Sequence, residues 1–303
     1  MWYCGIDIAK HQHEVCITDD QGDVLYNIPF SNDHKGFDKL TRALKNLDGK
    51  PDSFLFALEA TGHYWLSIYC HLTEGGYLVK VINPIQSDAL RNFYIRKAKT
   101  DKKDAQLLAD MIRMGHVPST ELASETILKL QTLSRTRFSF VKQIGSLKNQ
   151  VFSVLDRIFP EYHKCFSNVF IQTSREVLKN YSSPEELIDV DLSELECFLK
   201  KHSRGRLGRE RAAKIKELAC GSIGINLAID AFAMELKLLL EQIDFIQTQI
   251  QVLEEAMDSV MEELRTKQDT EYRHVIETIP GIGPITAAAI IGEVGDISRF
   301  PSG

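Results

Sequence analysis

No stretch of this 303-residue chain approaches the roughly 18 consecutive apolar residues of a membrane-spanning helix, which excludes a helical membrane protein. Met1-Trp2-Tyr3-Cys4 enters an apolar run at once, with no basic segment ahead of it, so the start does not read as a secretory leader and a cytoplasmic location is expected. The six cysteines (Cys4, Cys16, Cys70, Cys165, Cys197, Cys220) form no C-x-x-C pair and have no histidine at ligand spacing. That scatter argues against a zinc site and a disulfide framework, and predicts reduced, mostly buried thiols. Basic charge is also short, with 36 Lys and Arg against 42 Asp and Glu for a net charge of -6. The whole-chain basic excess typical of nucleic-acid binders is therefore missing.

What charge there is falls in blocks. From Arg91 to Arg113 seven Lys and Arg face three Asp, a local +4, and from Lys200 to Lys216 eight face the single Glu210, a local +7. Between Glu241 and Glu263 the sign reverses, with seven acidic residues and no Lys or Arg. Such segregation lets an acidic protein present basic surfaces to phosphates. Taken singly, each block reads equally well as a solvated helix face.

The first part of the chain alternates strands and helices. Trp2 to Ile8, Glu14 to Thr18 and Val24 to Ile28 are apolar or alternating runs separated by turn residues, and they predict an antiparallel meander. Phe37, Leu40, Leu44 and Leu47 recur at helical spacing. Phe54 to Leu58 reads as a strand covered on both faces. A helix through Tyr64, Ile68 and Leu72 ends at Gly75-Gly76, and a strand from Tyr77 to Ile82 follows, stopped by Asn83-Pro84. The sum is a mixed five-stranded sheet with helices packed on it.

Four carboxylates stand out against this frame. Asp7 and Glu59 each follow a strand, and they come together if those strands are neighbours. Asp101 and Asp104, at i and i+3, share one face at the start of a helix. Four carboxylates so close repel one another unless cations lie among them, and oxygen-only ligands favour Mg²⁺ or Mn²⁺ over zinc. Two such ions suit phosphoryl transfer. Two plainer readings stay open: Asp101 and Asp104 suit a helix N-terminus in any case, and Asp7 suits a strand-end turn.

The segments Gly5-Ile6-Asp7-Ile8-Ala9-Lys10, Glu59-Ala60-Thr61-Gly62-His63-Tyr64, Val81-Ile82-Asn83-Pro84 and Lys99-Thr100-Asp101-Lys102-Lys103-Asp104-Ala105, in this order, resemble the DEDD transposases of the insertion-sequence-110 family, relatives of the Piv DNA invertases. The resemblance implies a RuvC-like (ribonuclease H-like) α/β catalytic domain over residues 1-118, with Asp7, Glu59, Asp101 and Asp104 as its metal-binding residues. It also implies site-specific recombination of a mobile element, with DNA as partner and an element-derived guide RNA choosing the sites. In the family a serine nucleophile lies in a Ser-Gly motif beyond the segment that ends this sequence. Ser302 falls too early to match it, so the chain is expected to lack that serine.

The remainder reads as helical over 119-268, followed over 269-303 by the start of a carboxy-terminal transposase domain. Ile127 to Ile158 marks a long helix before Pro160, carrying Arg135, Arg137, Lys142 and Lys148, and Ser183 and Ser193 begin capping boxes. Lys99, Lys102, Lys103, Arg135, Arg137, Lys148, Arg204, Arg206 and Arg209 are the nucleic-acid contacts this pattern offers, the last three on a Gly-interrupted basic loop. A heptad over 225-264, from Ile225 to Leu264, predicts a coiled coil, either with a second copy, the expected partner, or with the chain's own long helix. Pro280-Gly281-Ile282-Gly283-Pro284 reads as a helix-hairpin-helix turn whose Gly281 and Gly283 let backbone approach a phosphate, or as a plain hairpin between helices. Two functions compete with transposition: a structure-specific, Mg²⁺-dependent endonuclease of the Holliday-junction resolvase type, and a non-catalytic DNA- or RNA-binding dimer.

Overall fold

A computed structural model describes residues 1–60, 62–93, 100–115, 124–266 and 276–295. The chain divides into two compact units, Met1–Leu122 and Ala123–Gly303.

The first unit is built on five strands, β1 (Trp2–Asp7), β2 (Gln12–Thr18), β3 (Val24–Ser31), β4 (Phe54–Glu59) and β5 (Leu78–Ile82), in the order β3-β2-β1-β4-β5. The three-strand meander is antiparallel, and β4 and β5 join it in parallel, as helix crossovers require. Helices α1 (His34–Lys45), α2 (Trp65–Glu74), α3 (Pro84–Phe93) and α4 (Asp101–Arg113) complete the unit. The alternation of side chains along each strand separates two cores. Cys4, Ile6, Val15, Ile17, Phe56 and Leu58 enter one core with Leu40 and Leu44 of α1 and Ile68 and Leu72 of α2. Tyr3, Leu55 and Ala57 enter the other with Leu107, Leu108, Met111 and Ile112 of α4. The sheet is thus mixed and five-stranded, as the sequence predicts.

Why α4 lies flat on the sheet is written in one glycine. The Cα of Gly5 in β1 approaches the α4 backbone so closely that a Cβ there would stand 2.0 Å from the Ala105 carbonyl oxygen and 2.5 Å from the Ala109 nitrogen. Any side chain at position 5 would lift the helix away.

The second unit is helical. A 34-residue helix, α5 (Glu125–Ile158), is capped by Ser124 and stops before Pro160. The short helices α6 (Gln172–Asn180), α7 (Pro184–Asp189), α8 (Leu192–His202) and α9 (Arg209–Cys220) follow, then α10 (Ile229–Thr266) and α11 (Pro284–Val294). Ser183 caps α7 by accepting from the Glu186 amide, as expected. For α8 the cap is Asp191 and not Ser193: helix begins at Leu192, and the Asp191 carboxylate accepts from the Ser193 amide at 2.7 Å. An acidic N-cap two residues earlier takes the place that the Ser193 capping box predicts.

The heptad residues lie on α10, apart from Ile225, which precedes it. Their partner is found within the chain: Leu236, Leu239 and Ile243 are buried in one core with Ile144, Val151 and Leu155 of α5, and Met257 and Val260 in another with Leu130 of α5 and Ala287, Ala288 and Ile291 of α11. The expected preference for a second copy thus gives way along these positions to α5, whose own apolar stripe fills the seam. All six cysteines are free; Cys4, Cys16 and Cys165 are buried, but Cys70, Cys197 and Cys220 are exposed, so burial is less general than expected. Among the described residues, no helix is long and apolar enough to cross a membrane.

Candidate metal centre and nucleic-acid surfaces

The register of the sheet brings two of the four carboxylates side by side. Ile6 of β1 pairs with Leu58 of β4 in parallel, so Asp7 and Glu59, one residue on, end adjacent strands and point to the same face. That face is the one α4 covers, because Gly5, two residues before Asp7, touches the α4 backbone. Thr100 caps α4, its hydroxyl accepting from the Lys103 amide and its carbonyl from the Lys103 and Asp104 amides at 2.8 and 3.0 Å. The first turn therefore holds Asp101 and Asp104; Asp104 is buried, whereas Asp101, Lys102 and Lys103 are exposed.

Two neighbours are absent from the sequence-predicted set. Ser87 of α3 is fully buried, and its Oγ lies 2.8 Å from Glu59 Oε2 and 2.9 Å from the Pro84 carbonyl oxygen, fixing the Glu59 side chain. Glu14 of β2 stands opposite Asp7 across the antiparallel ladder and is only 6% exposed. Its Oε1 is buried without a hydrogen-bond partner, and burial pushes its carboxyl above the usual range, with Lys102 opposing and Asp101 reinforcing the shift. The available signal is a Glu directly before the apolar run Val15-Cys16-Ile17, in phase with Cys16 opposite Gly5.

Among the described residues, no three Asp, Glu, His or Cys side chains are grouped closely enough to hold a metal ion. What the sequence-predicted residues offer is a set of hard oxygen donors, and these suit Mg²⁺ or Mn²⁺, with water and substrate phosphate completing the octahedron, rather than zinc. The hard oxygen donors and the unsatisfied buried Glu14 oxygen fit such an ion.

The sequence pattern of a transposase family, the DEDD transposases of IS110, matches residues 4–160, and that of the IS116/IS110/IS902 transposase family matches residues 273–303. The chain belongs to this transposase family. The IS117 mini-circle protein of Streptomyces coelicolor, a putative transposase, is 27% identical over 310 residues, covering 98% of this chain and 72% of the relative. An insertion-element IS116 protein of Streptomyces clavuligerus is 22% identical over 300 residues, with the same two coverages, 98% and 72%. A pilin gene-inverting protein of Moraxella lacunata is 29% identical over 142 residues, 47% of this chain and 44% of its own length.

The basic residues of the transposase divide by their engagement. Arg135 makes a two-pronged pair with Glu293 of α11, at 2.7 and 2.8 Å, and Arg137 binds Glu254 of α10 at 2.7 Å. Both guanidinium groups are thus spent on joining helices. Lys148 is half-buried with its ammonium over the Phe170 ring at 5.1 Å. Arg204, Arg206 and Arg209 are exposed between and at the start of α8 and α9, on a turn tied by Gly205 N to the Lys200 carbonyl and by Leu207 N to Ser203 Oγ. Arg209 also lies 3.6 Å from Glu196. Gly281 has a positive φ of 90°, and neither it nor Gly283 has any atom within 4 Å of a Cβ position, so the turn ahead of α11 is open. Lys99 lies outside the described residues.

Proposed function

We propose that this transposase cuts and exchanges DNA strands with Mg²⁺ or Mn²⁺ held by Asp7, Glu59, Asp101 and Asp104 in a RuvC-like centre. The observation that carries this reading is the register that ends β1 and β4 side by side on the face covered by α4. When bound, the ion neutralises phosphate charge and polarises the scissile phosphorus–oxygen bond. Asp7 and Glu59 would hold it from strand ends, with Ser87 fixing the Glu59 oxygen. Asp104, buried at the first turn of α4, would add a carboxylate with little freedom to move, and the exposed Asp101 would add another. Lys102 and Lys103, exposed on the same turn, draw in the phosphate backbone.

In the second unit, Arg204, Arg206 and Arg209 grip a nucleic-acid backbone, that of DNA or of a guide RNA, and the amides after Pro284 receive a phosphate. Self-association through α10 falls to its outward residues Met234, Leu238, Phe245 and Val252, which recur at four and seven residues and are each more than half exposed.

The test is incubation of the protein with element-end DNA and branched DNA, with and without Mg²⁺. A covalent protein–DNA adduct supports recombination, and free 5′-phosphate ends support hydrolysis of the resolvase kind at the same centre. Retention of DNA without Mg²⁺-dependent cutting sinks the metal reading.

A further inference from the structure

We infer that Glu14 is a fifth carboxylate of this centre, a positioning residue that accepts a hydrogen bond from a water in the shell of the bound Mg²⁺. The inference rests on the metal reading above. Its ground is an imbalance at β2. Glu14 is over nine-tenths buried, and its Oε1 has no hydrogen-bond partner. Leaving a carboxylate oxygen buried and unsatisfied is costly, and a strand position between His13 and Val15 would be filled at less cost by an apolar residue.

The placement says what completes the pairing. Residues directly opposite across an antiparallel ladder have their Cβ atoms about 5 Å apart on one face, so Glu14 and Asp7 stand shoulder to shoulder beneath α4. Two carboxylates so placed repel unless a cation or a proton lies between them. Asp101 of the α4 first turn adds a third negative charge within electrostatic reach of Glu14, and Lys102 beside it and Lys39 of α1 add positive ones. A metal-bound water standing between Glu14 and the ion would satisfy the Glu14 oxygen, since a bridging water serves a buried acceptor nearly as well as a direct hydrogen bond. A carboxylate that accepts from a metal-bound water fixes that water and the opposing ligand.

Glu14→Met in the full chain removes the acceptor while filling the buried volume, and Glu14→Gln keeps an acceptor without its charge. The readouts are Mn²⁺ affinity, followed by electron paramagnetic resonance of the free ion, and thermal unfolding without metal. Expected are a metal-free unfolding midpoint at or above that of the wild type for Glu14→Met and Mn²⁺ binding weakened about 10- to 100-fold. Glu14→Gln is expected to bind Mn²⁺ with intermediate affinity, and it gives the same reading if Glu14→Met does not fold. Wild-type affinity in both variants, alongside loss of binding in Asp7→Asn, overturns the role of Glu14 and leaves the metal centre standing. No Mn²⁺ binding by the wild type overturns the metal centre itself, and Glu14 with it.

Discussion

Gly5 lies directly beneath Ala105: a methyl group on its Cα would stand 2.0 Å from the Ala105 carbonyl oxygen, inside any permitted contact. The obstacle is helix backbone, which cannot swing aside as a long side chain can. Gly5→Ala is expected to destabilise the first unit by about 1–3 kcal/mol, the usual cost of forcing extra volume into a packed site. It also displaces the turn bearing Asp101 and Asp104. Chemical denaturation measures the first effect and Mn²⁺ affinity the second; a variant with wild-type values for both would show that α4 is not seated on β1.

Glu59 depends on Ser87 for its orientation, through a contact of 2.8 Å made by a fully buried hydroxyl. Ser87→Ala removes one hydrogen bond, which costs about 1 kcal/mol of stability. The expected kinetic signature is a lower rate of Mg²⁺-dependent strand cutting with unchanged affinity for DNA. Asp7→Asn, by contrast, is expected to abolish cutting while the protein stays folded. Equal cutting by Asp7→Asn and the wild type would remove Asp7 from the centre.

The legibility of this chain varies with the range of the interactions. The strands of the first unit are readable, since Phe54 to Leu58 is apolar throughout and the opening turns suit a meander, but their order is not: Asp7 meets Glu59 only on the condition that their strands are neighbours, which the parallel pairing of β1 with β4 supplies. Glu14 is not readable in the same way, since the ladder partner of Asp7 depends on a register that the turn around Lys10 fixes and periodicity does not. The heptad of α10 specifies an apolar partner without saying which, and the matching stripe of α5 lies in the same chain. Arg135 and Arg137 look like phosphate contacts in the sequence because their carboxylates, Glu293 and Glu254, are 158 and 117 residues away.

The pairing of Arg135 with Glu293 makes a pH-dependent tie between α5 and α11. The Arg135 guanidinium holds the Glu293 carboxyl below the usual carboxylate range, against the opposing effect of partial burial. A carboxylate whose folded value is depressed contributes stability above its unfolded value, about 4.3, and that contribution is lost as pH falls through the folded value. Both side chains are well exposed, at 63% and 45%, so the contribution is expected to be less than about 1 kcal/mol. Glu293→Gln should therefore unfold slightly earlier than the wild type at pH 7, and the two curves should converge at acid pH. A difference that persists unchanged at pH 3 would assign it to packing.

Arg204 separates stability from binding. It is a non-glycine residue at φ 55°, followed by Gly205 at φ 79°, so its backbone occupies the left-handed region that a Cβ atom disfavours. The left-handed conformation costs a side-chain-bearing residue roughly 1–2 kcal/mol, partly offset for glycine by its greater freedom when unfolded. Arg204→Gly is accordingly expected to raise stability by about 0.5–1 kcal/mol. If the exposed guanidinium meets a phosphate, the same substitution weakens nucleic-acid binding and reduces the slope of log K against log salt by about 0.9 for duplex DNA. Arg206→Ala and Arg209→Ala should each reduce the slope similarly without the gain in stability. Parallel titrations at several salt concentrations decide the matter: an unchanged slope in all three variants would confine this basic turn to joining α8 and α9.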